Sequence, residues 1–165
     1  MPAVRAYVGL GSNRDNPERQ VSHAFTELTK LPHTRLIKHS RLYLSAPLGP
    51  AGQPDYVNAV ALLETALSAK DLLKQLLEIE HRHGRIRTGE QWGPRTLDLD
   101  LLLYGDLHYA DPSLTVPHPR LHERAFVLYP LAELDPGLQI PGKGTLQELI
   151  KHCPKQKLTP LPISL

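Results

Sequence analysis

The chain has 165 residues, a formal charge of +2 and 41% hydrophobic residues, enough for one self-folding domain that buries roughly 70% of its unfolded surface. So mild a charge does not mark a general nucleic-acid binder, and a single cysteine, Cys153, excludes an internal disulfide and a cysteine-based zinc centre. No charged leader precedes an apolar core and no apolar run nears the roughly 20 residues of a membrane span, so the expectation is one cytoplasmic domain over 1–165.

An alternating strand, Val4–Val8, opens the chain and runs into Gly9-Leu10-Gly11-Ser12-Asn13. The glycines do not make a phosphate loop, because G-x-x-x-x-G-K-[ST] is absent; a tight turn or close backbone packing is expected instead. Asn16 and Pro17 read as the cap and first turn of a helix whose apolar positions Val21, Ala24, Phe25, Leu28 and Leu31 recur until Pro32. A second strand is expected from Thr34 to Leu44, then a Pro- and Gly-rich loop over 45–54, then a third strand from Tyr56 to Thr65. Tyr56, Asn58 and Val60 share one face of it. An asparagine there is unfavourable by propensity; it ends a sheet edge, or its carboxamide, with one acceptor and two donors, reads a polar heterocycle.

Ser68 followed by Asp71 resembles a capping box, and Leu72, Leu73, Leu76, Leu77 and Ile79 form the stripe of a second helix that Gly84 stops. Glu80, near its C-terminal end, opposes the helix dipole, which hints at a ligand-directed role, although a solvated glutamate is the ordinary reading. The segment 84–94 holds Arg85, Arg87 and the sole tryptophan, Trp92; it reads as a lid that closes over a site, or as an ordinary connection with the indole in the core.

The most informative stretch is Arg95-Thr96-Leu97-Asp98-Leu99-Asp100-Leu101-Leu102-Leu103. A two-residue period puts Leu97, Leu99, Leu101 and Leu103 on one face and both aspartates on the other. Carboxylates roughly 7 Å apart on a strand repel unless a cation lies between them, and hard oxygen donors suit Mg²⁺ with a substrate phosphate. A bare D-x-D is most often a solvated face; here Arg85, Arg87, Trp92 and Arg95 just upstream supply phosphate partners. Tyr104 to Leu107 reads as a hairpin turn into a short strand. A helical run from about Leu121 to Leu134 is expected to be interrupted at Pro130, and Thr145 with Glu148 opens a short last helix before a surface-draped tail. The order of elements is that of an α+β, ferredoxin-like split βαβ (βαββαβ) antiparallel sheet, with helices on one face and C-terminal additions. The other face stays available for ligand, with Asp98, Asp100, Tyr56 and Asn58 on central strands.

Gly9-Leu10-Gly11-Ser12-Asn13, Pro47-Leu48-Gly49-Pro50, Gln53 through Asn58, Glu80 through Arg85, Trp92-Gly93-Pro94-Arg95-Thr96-Leu97-Asp98-Leu99-Asp100, Thr115 through His118 and Arg124-Ala125-Phe126 together resemble the 6-hydroxymethyl-7,8-dihydropterin pyrophosphokinases of folate biosynthesis. The resemblance covers about Val4 to Leu134. It implies pyrophosphoryl transfer from ATP to 6-hydroxymethyl-7,8-dihydropterin with release of AMP, two Mg²⁺ ions on Asp98 and Asp100, and catalytic roles for Arg85 and Arg95. It further implies nucleotide contacts from Leu73, Glu80, Arg87, Trp92, Leu101, Thr115, His118 and Arg124. The pterin would lie between Tyr56 and Phe126, read by Asn58 and by the backbone of Ser45, Ala46 and Leu48. Thr88, Ser113 and Pro119 depart from the family pattern at positions that touch nucleotide affinity. A monomer with no nucleic-acid or membrane partner is expected. Two other readings stand beside it: an RNA-binding module on the same scaffold, whose R/K-G-F/Y-G/A-F-V-x-F/Y segment is absent, and a metal-dependent phosphohydrolase built on the same carboxylates, which would release ADP and phosphate.

Overall fold

Val4–Ser12 forms the first strand, β1, and from Ala6 to Ser12 its residues are buried whichever way they point. A strand covered on both faces needs packing partners above and below, and the rest of the chain supplies them. The computed structural model describes residues 3–14, 16–45, 56–84, 97–154 and 158–161. After β1 come α1 (Pro17–Leu28), β2 (Thr34–His39), β3 (Tyr43–Ser45), β4 (Tyr56–Thr65), α2 (Ala69–Arg82) and β5 (Asp98–Tyr104). The short pair β6 (Tyr109–Ala110) and β7 (Thr115–Val116) follows, then a 3₁₀ turn (Leu121–Glu123), α3 (Ala125–Leu134), β8 (Gln139–Ile140), β9 (Gly144–Thr145), α4 (Leu146–His152) and β10 (Leu158–Pro160).

The principal sheet runs β10-β3-β4-β1-β5, with β2 also paired to β4, and every pairing is antiparallel. This is the split βαβ order, with β5 beside β1 and β4 on its other side. The expected second strand divides at Ser40. There the backbone N–H donates to the Val60 carbonyl (2.8 Å) while the Ser40 hydroxyl oxygen accepts from the Val60 N–H (2.9 Å), so a side chain substitutes for one rung of the ladder. The tail also differs from expectation: Leu158–Pro160 pairs with β3 and widens the sheet rather than draping over the surface. β5 lies at the opposite edge, pairing among the described residues with β1 alone, so Asp98 and Asp100 are not on a central strand.

One face of the sheet packs under α1 and α2. Val21, Ala24, Phe25 and Leu28 meet Leu72, Leu76 and Ile79 over Ala6, Val8, Leu10, Leu97, Leu99 and Leu101, each large buried side chain contributing about 1.5–3 kcal/mol. Leu77 leaves the expected stripe and is exposed. Ser68 caps α2 as read from sequence, accepting from the Asp71 N–H at 3.1 Å. Asn16 does not cap α1: it sits at φ 64° and makes no side-chain cap hydrogen bond, so Pro17 starts that helix by its fixed φ.

The opposite face is divided. Its far half, Tyr7, Val60, Leu62 and Leu102, is covered by Val127, Leu128, Leu131 and Leu134 of α3 and by Leu146 of α4. The C-terminal additions therefore build a second core instead of leaving that face wholly open. Leu103 joins this second core with Leu102, and not the first with Leu101. The cause is a bulge: Tyr7 pairs with Leu103 while Val8 pairs with Leu101, so Leu102 is the extra residue and the alternation slips. The helical run is broken at Arg124 (φ −118°, ψ 99°), and Pro130 lies buried inside α3. Proline's missing N–H costs one backbone bond there; the apolar side chains on either side keep the helix intact.

Candidate active site

Cross-strand register brings the near half of that second face together. Gly11 pairs with Asn58 on β4 and with Asp98 on β5; one step along, Gly9 pairs with Val60 and Asp100. Directly opposed residues share a face, so Asn58, Gly11 and Asp98 form one row and Val60, Gly9 and Asp100 the next. Strands are spaced about 4.8 Å apart, which separates the carboxamide from the nearer carboxylate by about two spacings, with no side chain between them. Neither glycine makes the turn that was one expectation; both lie within β1, and close packing is their role. A Cβ on Gly11 would stand 3.0 Å from Asn58 Nδ2, and one on Gly9 would stand 3.4 Å from Leu102.

Asn58 is buried, and its orientation is fixed: the Ser45 hydroxyl, itself buried, donates to Oδ1 at 2.7 Å. The amide nitrogen is thereby turned toward Gly11. Asn58 is not a strand-ending residue, since it lies in β4 paired on both sides, with Gly11 and Tyr43. Tyr56, two residues earlier, shares its face by period and is half-buried.

Asp98 and Asp100 are half-buried on this face. Arg124 Nη1 lies 3.9 Å from Asp100 Oδ2, and its guanidinium carbon lies 5.6 Å from the centre of the Phe126 ring. The extended backbone at Arg124, immediately before α3, carries this cation to the carboxylates, while Phe126 packs half-buried against the second core. His118 is anchored by its backbone N–H to the Leu102 carbonyl (2.9 Å), and its Nδ1 accepts from the Arg120 N–H (3.1 Å). That bond leaves the ring proton on Nε2. Burial, then the Arg124 charge, hold His118 down at about 4, so near neutrality it is an uncharged donor rather than a cation.

Glu80 is 2% exposed and accepts the Leu99 backbone N–H at 2.7 Å. Leu99 stands between the two aspartates, so this buried carboxylate fixes the strand that aims them. Leu73 and Leu101 join the core under α2, on the other side of β5 from the aspartates, and Thr115 is half-buried on β7 beside β5. Ser113 donates to Asp111 in the turn between β6 and β7, and Pro119 is exposed. Ala46, Leu48, Arg85, Arg87, Thr88, Trp92 and Arg95, with the lid expected at 84–94 beyond Gly84, lie outside the described residues.

The donor set suits a hard divalent cation: two carboxylates on one face of a strand, beside a floor from which two side chains are missing. Sequence reasoning did not foresee three features. The hydroxyl that orients Asn58, the Arg124–Asp100 pair and the glycine floor all join residues distant along the chain. The sequence signal for the floor was the i, i+2 glycines continuing an alternating strand.

A ferredoxin-like sheet bearing paired carboxylates, a fixed carboxamide and an arginine on one half-face suits an enzyme acting on phosphate-bearing substrates with a divalent cation. The family model for 7,8-dihydro-6-hydroxymethylpterin-pyrophosphokinase (HPPK) matches residues 7–136, and the chain belongs to that family. It is 50% identical over 158 residues to the 2-amino-4-hydroxy-6-hydroxymethyldihydropteridine pyrophosphokinase of Pseudomonas aeruginosa, covering 96% of this chain and 97% of that one. The enzyme of the same name from Haemophilus influenzae is 44% identical, over 96% and 98%. The fold matches that of the wild-type Plasmodium falciparum HPPK-DHPS solved with pterin and p-hydroxybenzoate, with a TM-score of 0.68 and 14% identity over 90% of this chain; the match spans 43% of that longer protein. Among the described residues no helix is long and apolar enough to cross a membrane.

Proposed function

We infer that the chain transfers pyrophosphate from ATP to 6-hydroxymethyl-7,8-dihydropterin, giving the pterin diphosphate and AMP, in folate biosynthesis. The observation that carries this reading is the row Asn58–Gly11–Asp98, which sets a carboxamide able to read a heterocycle beside a carboxylate able to gather phosphate-bound cation. The hydroxymethyl oxygen of the pterin forms a bond to the β-phosphorus, the α–β bridging bond breaks, and AMP leaves. Such displacement asks a protein chiefly for alignment and positive charge.

Asn58, held by Ser45, orients the pterin edge, and Tyr56 and Phe126 supply flat walls for a flat bicycle. Asp98 and Asp100 are the residues that hold Mg²⁺, as two ions. Bound there, the metal neutralises charge on the triphosphate and lowers the pKa of the attacking hydroxyl. Arg124 adds positive charge next to Asp100, and neutral His118 donates a hydrogen bond from Nε2 toward the phosphates. Arg85, Arg87, Trp92 and Arg95 complete the phosphate side, with Arg85 and Arg95 catalytic, as the family resemblance implies. As the family resemblance implies, Ala46 and Leu48 serve the pterin and Thr115 the nucleotide; Leu73 and Leu101 lie in the core under α2, on the other side of β5 from the aspartates.

The reading is of a monomeric, cytoplasmic enzyme whose partners are ATP and the pterin, and which calls on neither nucleic acid nor a membrane. The test is product analysis with ATP, the pterin and Mg²⁺. AMP and pterin diphosphate in equal amounts support the assignment, and ADP with phosphate would replace it by the hydrolase reading.

A further inference from the structure

Away from this face, the C-terminal end of α2 meets α1 through His23, Glu27 and His83. Their ligand atoms all lie within 4.8 Å of one another. His83 Nε2 is hydrogen-bonded to Glu27 Oε1, and His23 Nδ1 lies 3.9 Å from the same oxygen. His23 and Glu27 are spaced i, i+4 and so project from one side of α1, while His83 arrives from the C-cap of α2. The His83 side chain is 5% exposed and that of Glu27 13%, whereas His23 is 67% exposed and opens the group to solvent.

We propose that His23, Glu27 and His83 form a binding site for a borderline transition-metal ion, zinc in the first instance, bridging α1 and α2. Two imidazoles and one carboxylate are a set that zinc accepts in tetrahedral geometry with a fourth position left to water. The surroundings match what such a site requires. Gln20 Oε1 accepts from His83 Nδ1–H, which is the outer hydrogen bond that fixes a ligating histidine's tautomer. The Glu27 carboxylate and both imidazoles thus converge on one point, which is the arrangement a shared ion needs. Arg82 occupies the other oxygen, Oε2, at 3.4 Å, and leaves Oε1 for the ion. These ligands are imidazole-rich, unlike the all-oxygen pair at Asp98 and Asp100, so the two sites sort different metals.

The experiment uses the full-length, tag-free chain in excess Mg²⁺, titrated with Zn²⁺ against a chromophoric chelator and, separately, with Co²⁺ followed by visible absorption. The expected result is one Zn²⁺ per chain, a tetrahedral Co²⁺ spectrum without a thiolate charge-transfer band, and a higher Tm with zinc. His23→Ala, at an exposed position that the fold does not need, should weaken binding at least tenfold and abolish the Tm shift; Glu27→Gln, which keeps the side chain's shape, should do the same. Asp98→Ala should leave zinc binding unchanged. A thiolate band, wild-type binding weaker than 100 µM at pH 7.5, or equal affinity in His23→Ala and the wild type would each overturn the proposal. Equal loss in Asp98→Ala would also overturn it, by assigning the zinc to the carboxylate pair.

Discussion

Gly11→Ala tests the glycine floor more sharply than removal of any charged group, because it adds one methyl to an otherwise unchanged row. The new Cβ would stand 3.0 Å from Asn58 Nδ2, about 0.5 Å inside the roughly 3.5 Å at which such atoms rest. The carboxamide cannot retreat freely, since Ser45 Oγ holds its oxygen at 2.7 Å. Turning it sacrifices that bond, worth about 1 kcal/mol. Alanine at the same time stabilises by about 0.4–1 kcal/mol through lost unfolded-state entropy, provided the strand backbone suits it, as it does here. The two effects nearly cancel, so urea unfolding should move by less than about 1 kcal/mol. Substrate binding has no such compensation. A displaced carboxamide leaves polar edges of the heterocycle unpaired at about 1–3 kcal/mol, so pterin affinity should fall about 5- to 150-fold while ATP affinity stays within about threefold. Isothermal titration with the oxidised, unreactive pterin in the presence of a non-hydrolysable nucleotide measures both. A pterin Kd within twofold of wild type would refute the idea that this floor and its carboxamide read the substrate, and parallel loss of both ligands would mean the sheet itself had been distorted.

Asp98→Ala and Asp100→Ala should each lower kcat at least about 10³-fold with Tm within a few degrees, because in the proposed function each half-buried carboxylate gathers metal; rates within tenfold in saturating Mg²⁺ would remove them from the reaction. His118, neutral in the fold down to about 4, takes up its proton only when the chain unfolds, so it costs stability as pH falls from about 6.5 to 4 and contributes no further change below that. The ceiling is about 3 kcal/mol, trimmed toward 2 by partial exposure; His118→Gln should flatten this slope in denaturant titrations from pH 7 to 4.5, and an unchanged slope would refute it. Glu80→Ala strands the Leu99 N–H and should cost about 2–4 kcal/mol, with Mg²⁺-dependent turnover falling alongside, whereas Glu80→Gln keeps an acceptor and should lose less of both. If instead both variants melt like wild type and lose only nucleotide affinity, the carboxylate serves the ligand directly.

Much of this architecture was legible because local signals agreed with it. β4 begins and ends where its composition changes, and α2 runs from a serine cap to a glycine stop, so propensity, capping and periodicity gave one answer. The paired carboxylates were legible for the same reason: a period of two assigns faces without knowledge of the fold. Three leucines in succession carry no such information, and the bulge at Leu102, which sends Leu103 to the other core, follows only from its pairing with β1. Propensity puts the interruption of the 121–134 run at Pro130, yet burial keeps that proline helical, and the break falls at Arg124, whose side chain reaches Asp100. Arg124 with Asp100, and Ser45 with Asn58, join residues on different elements, and nothing in the intervening sequence announces them.

The division of one sheet face explains how the scaffold becomes an enzyme. Tyr7, Val60, Leu62 and Leu102 commit the far half to a core beneath α3 and α4, while Gly9, Gly11, Asn58, Asp98 and Asp100 make up the near half, which in the proposed function takes the ligand. The same helix serves both halves: its apolar side closes the core, and its first residues, with Arg124 just ahead, overhang the carboxylates. Because α3 is fixed by burial of Leu128 and Leu131, the Arg124 guanidinium is delivered to Asp100 without any loop having to order itself first, so its share of charge stabilisation is in place before substrate arrives. A core substitution that tilts α3, such as Leu128→Ala, should therefore reduce kcat by more than its stability loss alone explains, with single-turnover rates measured well below its Tm. A variant that is less stable yet turns over at the wild-type rate would show that the helix merely covers the sheet.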